Sequence, residues 1–122
     1  MSTIEVTKDN FDKTISENEI VFFDFWAEWC GPCKAFANIY HEAAEKYSDI
    51  VFAKVDVDAE KELATDFNIR SIPHVMVFRQ GIAIYNQAGS LPLSALDDLV
   101  EQAKSVDMTE LQKKIKDDQE GK

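Results

Sequence analysis

Cys30 and Cys33 are the chain's two cysteines, and they flank Gly31-Pro32. A two-residue spacer at the start of a helix lets two sulfurs come within bonding distance, so this pair can open and close a disulfide. The run before the pair reads as a strand and the run after it has helical spacing, which sets Cys30 at a helix N-terminus. Roughly half a positive charge and free N–H groups favour a thiolate there. Lowering an attacking thiol's pKa by one unit gives ~10-fold more thiolate near neutral pH and costs roughly 3-fold in nucleophilicity. Modest activation is therefore best, and a helix terminus supplies it. Cys33 falls on the helix's apolar stripe, where burial keeps a thiol protonated. An exposed nucleophile, Cys30, beside a buried resolver, Cys33, is what a disulfide reductase needs. Cys30 would attack the target, and Cys33 would then break the mixed disulfide.

Two plainer readings compete. Half of a zinc site needs about four ligands in related spacing. The other soft candidates are His41, seven residues into the helix, and His74 far downstream, and neither repeats a zinc-finger spacing. An inert structural pair fits the helix-start position poorly.

The elements that must hold the pair follow from hydrophobic spacing. Thr3 to Val6 makes a short strand, and Phe11 with Ile15 marks one face of a helix. Ile20-Val21-Phe22-Phe23-Asp24-Phe25-Trp26 is almost continuously β-branched and aromatic, as in a central strand covered on both faces. Cys33, Phe36, Ala37, Tyr40, Ala44 and Tyr47 form a buried helical stripe. Ile50 to Val57 is a second buried strand, and Glu60 to Phe67 a short helix. His74–Phe78 and Ile82–Asn86 flank Arg79-Gln80-Gly81 as a hairpin, with Met76 and Phe78 as sheet core. Leu96, Leu99, Val100 and Ala103 form a helix with Pro92 in its first turn. Asp107 with Glu110 suggests a capping box for a thin seam of Met108, Leu111 and Ile115, and the polar end from Lys116 to Lys122 is expected to fray. The order βαβαβαββα plus a tail implies an α/β fold: parallel strand pairing, helices on both faces and an antiparallel edge.

Asp24 is a carboxylate inside an apolar strand, where an unpaired charge is rarely buried. Either it escapes to water at a bulge, or it is an acid of raised pKa that takes the Cys33 proton directly or through a water.

Composition bounds the remainder. The 122 residues suit one domain, and 13 Lys+Arg against 23 Asp+Glu leave a net charge of −10. That balance disfavours nucleic acid and anionic membranes as partners. Met1-Ser2-Thr3-Ile4-Glu5-Val6 lacks the basic start and apolar run of a secretory signal. Ile20 to Trp29 is too short to span a bilayer and is broken by Asp24 and Glu28. One close cysteine pair in such a chain points to a reducing compartment.

Phe23-Asp24-Phe25-Trp26-Ala27-Glu28-Trp29-Cys30-Gly31-Pro32-Cys33-Lys34 resembles the active-site segment of the thioredoxin family. Ala53-Lys54-Val55-Asp56, Ile69-Arg70-Ser71-Ile72-Pro73, Gly81 and Gly89 follow in the family's order, so the resemblance covers about Thr3 to Ala103. It implies a thioredoxin fold, with a mixed sheet of about five strands over residues 1–105 and a charged extension over 106–122. It also implies a protein-disulfide reductase with no cofactor of its own, cytoplasmic and monomeric. Electrons would come from NADPH through a flavoprotein thioredoxin reductase. Targets would be disulfide-bearing proteins such as reductases and peroxidases. The Gly-Pro spacer resembles the reducing members more than the oxidising ones; an oxidase, an isomerase or a non-catalytic binding module are the alternatives.

By the same resemblance, Lys54 lies beside Asp24 and tunes it, and the Ile72–Pro73 bond is cis and faces the cysteines. Trp29, Gly31, Pro32, Ile72, Pro73, His74, Ala88 and Gly89 would surround the pair as a docking collar, with Trp26 packed beneath. Two positions depart from the pattern. Asn38 replaces a helix-kinking Pro, which leaves the relation of Cys33 to the core open. His74 replaces a Thr and is expected near the cysteines, where its protonated ring could stabilise the Cys30 thiolate.

Overall fold

Strand β2 (Ile20–Trp26) is the spine of the molecule, with every residue but Trp26 buried. A run of Ile, Val and Phe without alternation has no polar face to turn to water, so it must lie inside a sheet covered on both sides. In the computed structural model, which describes residues 3–120, β2 is the middle of five strands in the order β1-β3-β2-β4-β5. Met1 and Ser2, at the start of the segment read for a leader, and Gly121 and Lys122 at the tail lie outside the described residues.

The elements run β1 (Thr3–Glu5), α1 (Lys8–Glu17), β2, α2 (Gly31–Lys46), β3 (Val51–Asp56), α3 (Lys61–Asp66), β4 (His74–Arg79), β5 (Ile82–Ala88), α4 (Leu93–Ser105) and α5 (Met108–Glu120). Strand β3 pairs in parallel with both β1 and β2, while β4 pairs antiparallel with β2 and β5. The mixed sheet with helices on both faces is the architecture expected from the element order.

Two cores share the sheet. On one face Phe22, Phe52, Val75 and Val77 pack against Phe36, Tyr40, Ala43 and Ala44 of α2 and Leu96, Leu99, Val100 and Ala103 of α4. On the other, Phe23, Phe25, Met76 and Phe78 pack against Phe11 of α1 and Leu63 of α3. Alternation along β2 thus assigns Asp24 to the α2 face and Phe25 to the α1 face.

Several local expectations are corrected. The hairpin turn has two residues, not three: Gln80 and Gly81 both have positive φ (51° and 77°), which matches the twist of the strands they join. Pro92 is the N-cap of α4 rather than part of its first turn, because its ψ of 162° is extended. Ala37 is only half-buried, and Ala43 takes its place on the α2 stripe. Asp107 accepts the Glu110 N–H at 2.9 Å, which is half of the capping box. The tail does not fray at Lys116: α5 stays helical to Glu120, carried by strong helix formers such as Lys, Gln and Glu.

Candidate active site

The sharp passage from β2 into α2 places the pair. Cys30 is the N-cap of α2, in extended conformation, with Gly31 and Pro32 opening the helix. Pro costs nothing there, since the first helical N–H groups lack intrahelical partners anyway. Cys30 and Cys33 are joined as a disulfide with their Cα atoms 5.2 Å apart. The Cys30 Sγ accepts the backbone N–H of Cys33 at 3.2 Å and lies 3.8 Å from the Ile72 carbonyl oxygen. A donor aimed at one sulfur, at the positive end of a 16-residue helix, stabilises negative charge on that sulfur.

The expected contrast in exposure is corrected. Cys30 is 4% exposed and Cys33 2%, so in the disulfide both sulfurs are covered. Ala27, Trp26, Val57 and Ile72 pack around them. The asymmetry lies in bonding: Cys30 holds the N-cap acceptor position, and Cys33 sits one turn into the helix on its buried stripe.

Asp24 lies on the face of β2 turned toward α2 and is wholly buried, with neither carboxyl oxygen hydrogen-bonded among the described residues. Burial pushes its pKa up from 3.8 to about 7, and the nearby positive charge of Lys54 pulls the other way. Lys54 is the residue directly across from Asp24 in the parallel β2–β3 register. Its ammonium rests 4.8 Å from the Trp26 ring centroid, half-buried rather than free in solvent. Trp26 is itself only half-buried, less than a core residue, because it ends β2 at the sheet's rim. A buried carboxyl with its pKa raised to about 7 can take up or release a proton at cellular pH.

Around the pair, Trp29 is 70% exposed and donates its indole N–H to Asp58 at 2.9 Å. That bond fixes a large apolar ring at the surface. Gly31 and Pro32 are also exposed. The Ile72–Pro73 bond is cis, and the Pro73 carbonyl accepts the Gly89 N–H at 2.8 Å, which holds the end of β5 against the loop before β4. Gly89, at φ 113°, occupies a region closed to most side chains.

His74 opens β4. It pairs with Phe25 in the β2–β4 register, so its ring lies on the α1 face of the sheet, away from the face that carries Asp24. There its Nε2 is hydrogen-bonded to Asn86 Oδ1, and the ring meets Phe25 edge-on at 6.1 Å. Single-residue alternation decides this: a residue directly after Pro73 takes the opposite face from Val75. The ring is thus held between Phe25 of β2 and Asn86 of β5. His41, the other histidine, is exposed and within 3.4 Å of Glu45. Among the described residues no group of three or more His, Cys, Asp and Glu is placed to hold a metal ion.

One group on the α2 face escaped the sequence reading. Tyr40, assigned there only to the apolar stripe, is fully buried and donates its hydroxyl to the Ala53 carbonyl at 2.7 Å. The one available signal was a polar tip in a stripe of Phe and Ala.

A disulfide at a helix start, with the cis-Pro loop against Cys30, defines a thiol–disulfide exchange site on an α/β sheet. The thioredoxin family model matches residues 2–102. A putative thioredoxin 2 of Streptomyces coelicolor is 51% identical over 97% of this chain and 88% of its own length. Thioredoxin 1 of Plasmodium falciparum is 43% identical over 83% of this chain and 96% of its own. Among solved structures, the Plasmodium falciparum thioredoxin superposes with a TM-score of 0.74 at 42% identity, covering 82% of this chain and 97% of that one. A mutant thioredoxin from Halobacterium salinarum reaches 0.79 at 30% identity, covering 87% and 95%. The chain belongs to the thioredoxin family. It is a thiol–disulfide oxidoreductase of the protein-disulfide reductase kind, working through Cys30 and Cys33. Among the described residues, no helix is long and apolar enough to cross a membrane.

Proposed function

We propose that Cys30 is the attacking sulfur and Cys33 the resolving one. The Cys30 thiolate attacks one sulfur of a target disulfide, a mixed disulfide forms, and the other target sulfur leaves as a thiolate. Cys33 then loses its proton to the Asp24 carboxylate and attacks Cys30 Sγ. The internal disulfide closes and the second target sulfur departs, so the target gains two electrons and the chain loses them. Lys54 holds the Asp24 anion within reach of neutrality by opposing the cost of burial. The observation that carries these assignments is the Cys33 N–H directed at Cys30 Sγ at the tip of α2.

Trp29, Gly31, Pro32, Ile72, Pro73 and Gly89 form the docking collar, in which the Ile72 backbone beside the cis-Pro can pair with an extended target segment. His74 serves that collar from beneath, through the β4–β5 pairing, rather than by charge on Cys30. Reducing equivalents come from NADPH through a separate flavoprotein reductase, and the targets are disulfide-bearing proteins such as reductases and peroxidases. The site needs no cofactor of its own. The chain acts as a cytoplasmic monomer whose thioredoxin domain spans residues 1–105, with 106–122 as a charged extension.

Replacing Cys33 by Ser tests the order of attack. The variant should accumulate target proteins disulfide-linked to Cys30, released by dithiothreitol, whereas Cys30→Ser should trap none. Adducts on Cys33 in the Cys30→Ser chain, with none on Cys30 in the other, would reverse the assignment.

A further inference from the structure

We infer that the Tyr40 hydroxyl is a positioning group for the redox site: its bond to the Ala53 carbonyl ties helix α2 to strand β3 and so sets the separation of Cys33 from Asp24. The inference rests on the pairing of Cys33 with Asp24 in proton transfer set out above, and adds a residue that touches neither target nor sulfur.

Three observations place the tie. Lys54's carbonyl accepts the Val6 N–H on the β1 side of β3, and carbonyls alternate along a strand, so Ala53's carbonyl points to the β2 side. A hydroxyl bound to it at 2.7 Å therefore sits over the seam between β2 and β3, abreast of Asp24. Second, Tyr40 is seven residues beyond Cys33, on the same side of α2. Its ring packs T-shaped on Phe52 at 5.4 Å, level with Phe22, whereas Trp26 packs against the cluster that Cys33 forms with Ala27 and Cys30. Along β2 the order is Phe22, Asp24, Trp26, so the stripe of α2 crosses Asp24 with Tyr40 on one side and Cys33 on the other. Asp24's charge also reaches the phenol, whose pKa it helps to raise after burial itself.

The third observation is that α2 runs unbroken from Gly31 to Lys46, with Asn38 inside it. A continuous helix is a stiff rod, and seven residues span about 10 Å, so a fixed point at Tyr40 is felt at Cys33. Apolar packing between α2 and the sheet is non-directional and tolerates small slides. A short hydrogen bond to one named carbonyl does not. This answers what Asn38 left open: the relation of Cys33 to the core is set from the far side of Asp24. A proton transfer is sensitive to such placement, since errors near 1 Å can cost up to about 100-fold.

Tyr40→Phe removes the hydroxyl and keeps the ring. Lys54 of β3 and Val75 of β4 lie across from Asp24 in register, and Phe22 and Trp26 share its face of β2. Helix α2 brings the Tyr40 phenol, whose pKa the Asp24 charge helps to raise, and Cys33 as the proposed proton donor; the variant changes only Tyr40. The first measurement is the titration midpoint of the Asp24 carboxyl, by carbon NMR, in the oxidised and the reduced chain. The difference between the two states reports how closely Asp24 and Cys33 are coupled. The inference expects that difference to shrink in Tyr40→Phe, and an unchanged or larger difference overturns it. The second measurement is single-turnover kinetics with a model protein disulfide. Formation of the mixed disulfide should be unchanged, and its resolution should slow about tenfold. In an Asp24→Asn background the same substitution should slow resolution no further; equal slowing in both backgrounds would make Tyr40 a general packing residue. If Asp24→Asn alone leaves resolution untouched, the proton-handling role fails, while the NMR difference still judges the tie. Should Tyr40→Phe not fold, the unaltered chain is decisive: its Tyr40 hydroxyl proton should exchange slowly with water in both redox states, and rapid exchange overturns the tie.

Discussion

Asp24 costs the fold stability, and the sign of that cost can be worked out. Its folded midpoint of about 7 lies above the ordinary 3.8, so between those pH values the folded chain holds a proton that the unfolded chain has lost. Stability therefore falls as pH rises through that window, by up to about 4 kcal/mol, and levels off above it. Asp24→Asn removes the ionisable group. Urea unfolding of the oxidised variant should match the parent at pH 4 and exceed it by a few kcal/mol at pH 9. A gain of the same size at both pH values would mean that the carboxylate is not the source. A residue so costly in the centre of the sheet is explained by chemistry rather than packing. Its burial was legible in the sequence, because six apolar neighbours leave a strand residue nowhere polar to go. The partner across the strand pair was legible only through the family resemblance, since Lys54 meets Asp24 through the β2–β3 register. The sheet face of His74 was not legible, since it depends on where the strand begins after Pro73.

At the scale of elements, the strong hydrophobic periods carried most of the fold. The continuous run of β2 stands where its composition puts it, and the stripe of α2 and the hairpin of β4 with β5 differ from expectation only in Ala37 and in the length of the turn. The weaker signals slipped by a residue or two: β3 begins at Val51 rather than Ile50, and α3 begins at Lys61 rather than Glu60. Helix α5 shows the limit most clearly. Its thin seam of Met108, Leu111 and Ile115 promised little, yet Met108 is buried, Gln112 bonds Gln80 at 2.8 Å, and the helix runs to Glu120. Arg79 of β4 secures the junction just before it, binding Glu19 at 2.7 Å and the carbonyls of Ala103 and Lys104 at the end of α4. The extension lies by the Gln80–Gly81 turn, at the opposite end of β4 from Pro73. Deleting residues 107–122 should lower unfolding stability by about 1.5–3 kcal/mol, the worth of burying one Met, and leave disulfide reduction at its parent rate. A truncated chain that folds but no longer reduces target disulfides would bring α5 into the site.

For the molecule as a whole, the sheet's role is to deliver one helix tip, one buried acid and one cis-Pro loop to the same end. The sequence announced the first through Cys-Gly-Pro-Cys and the second through Asp24; the loop became legible only beside a known family. The net charge of −10 fits a carrier that meets proteins rather than nucleic acid. What remains decisive is whether the two sulfurs differ as their places on α2 require. The reduced chain should be alkylated with iodoacetamide across pH 4 to 10, with each modified cysteine assigned by mass spectrometry. Cys30 should react first, with a midpoint below the ordinary thiol value of about 8.5, and Cys33 should stay unmodified until the chain unfolds. Two sulfurs reacting alike near about 8.5, or Cys33 reacting ahead of Cys30, would contradict the account.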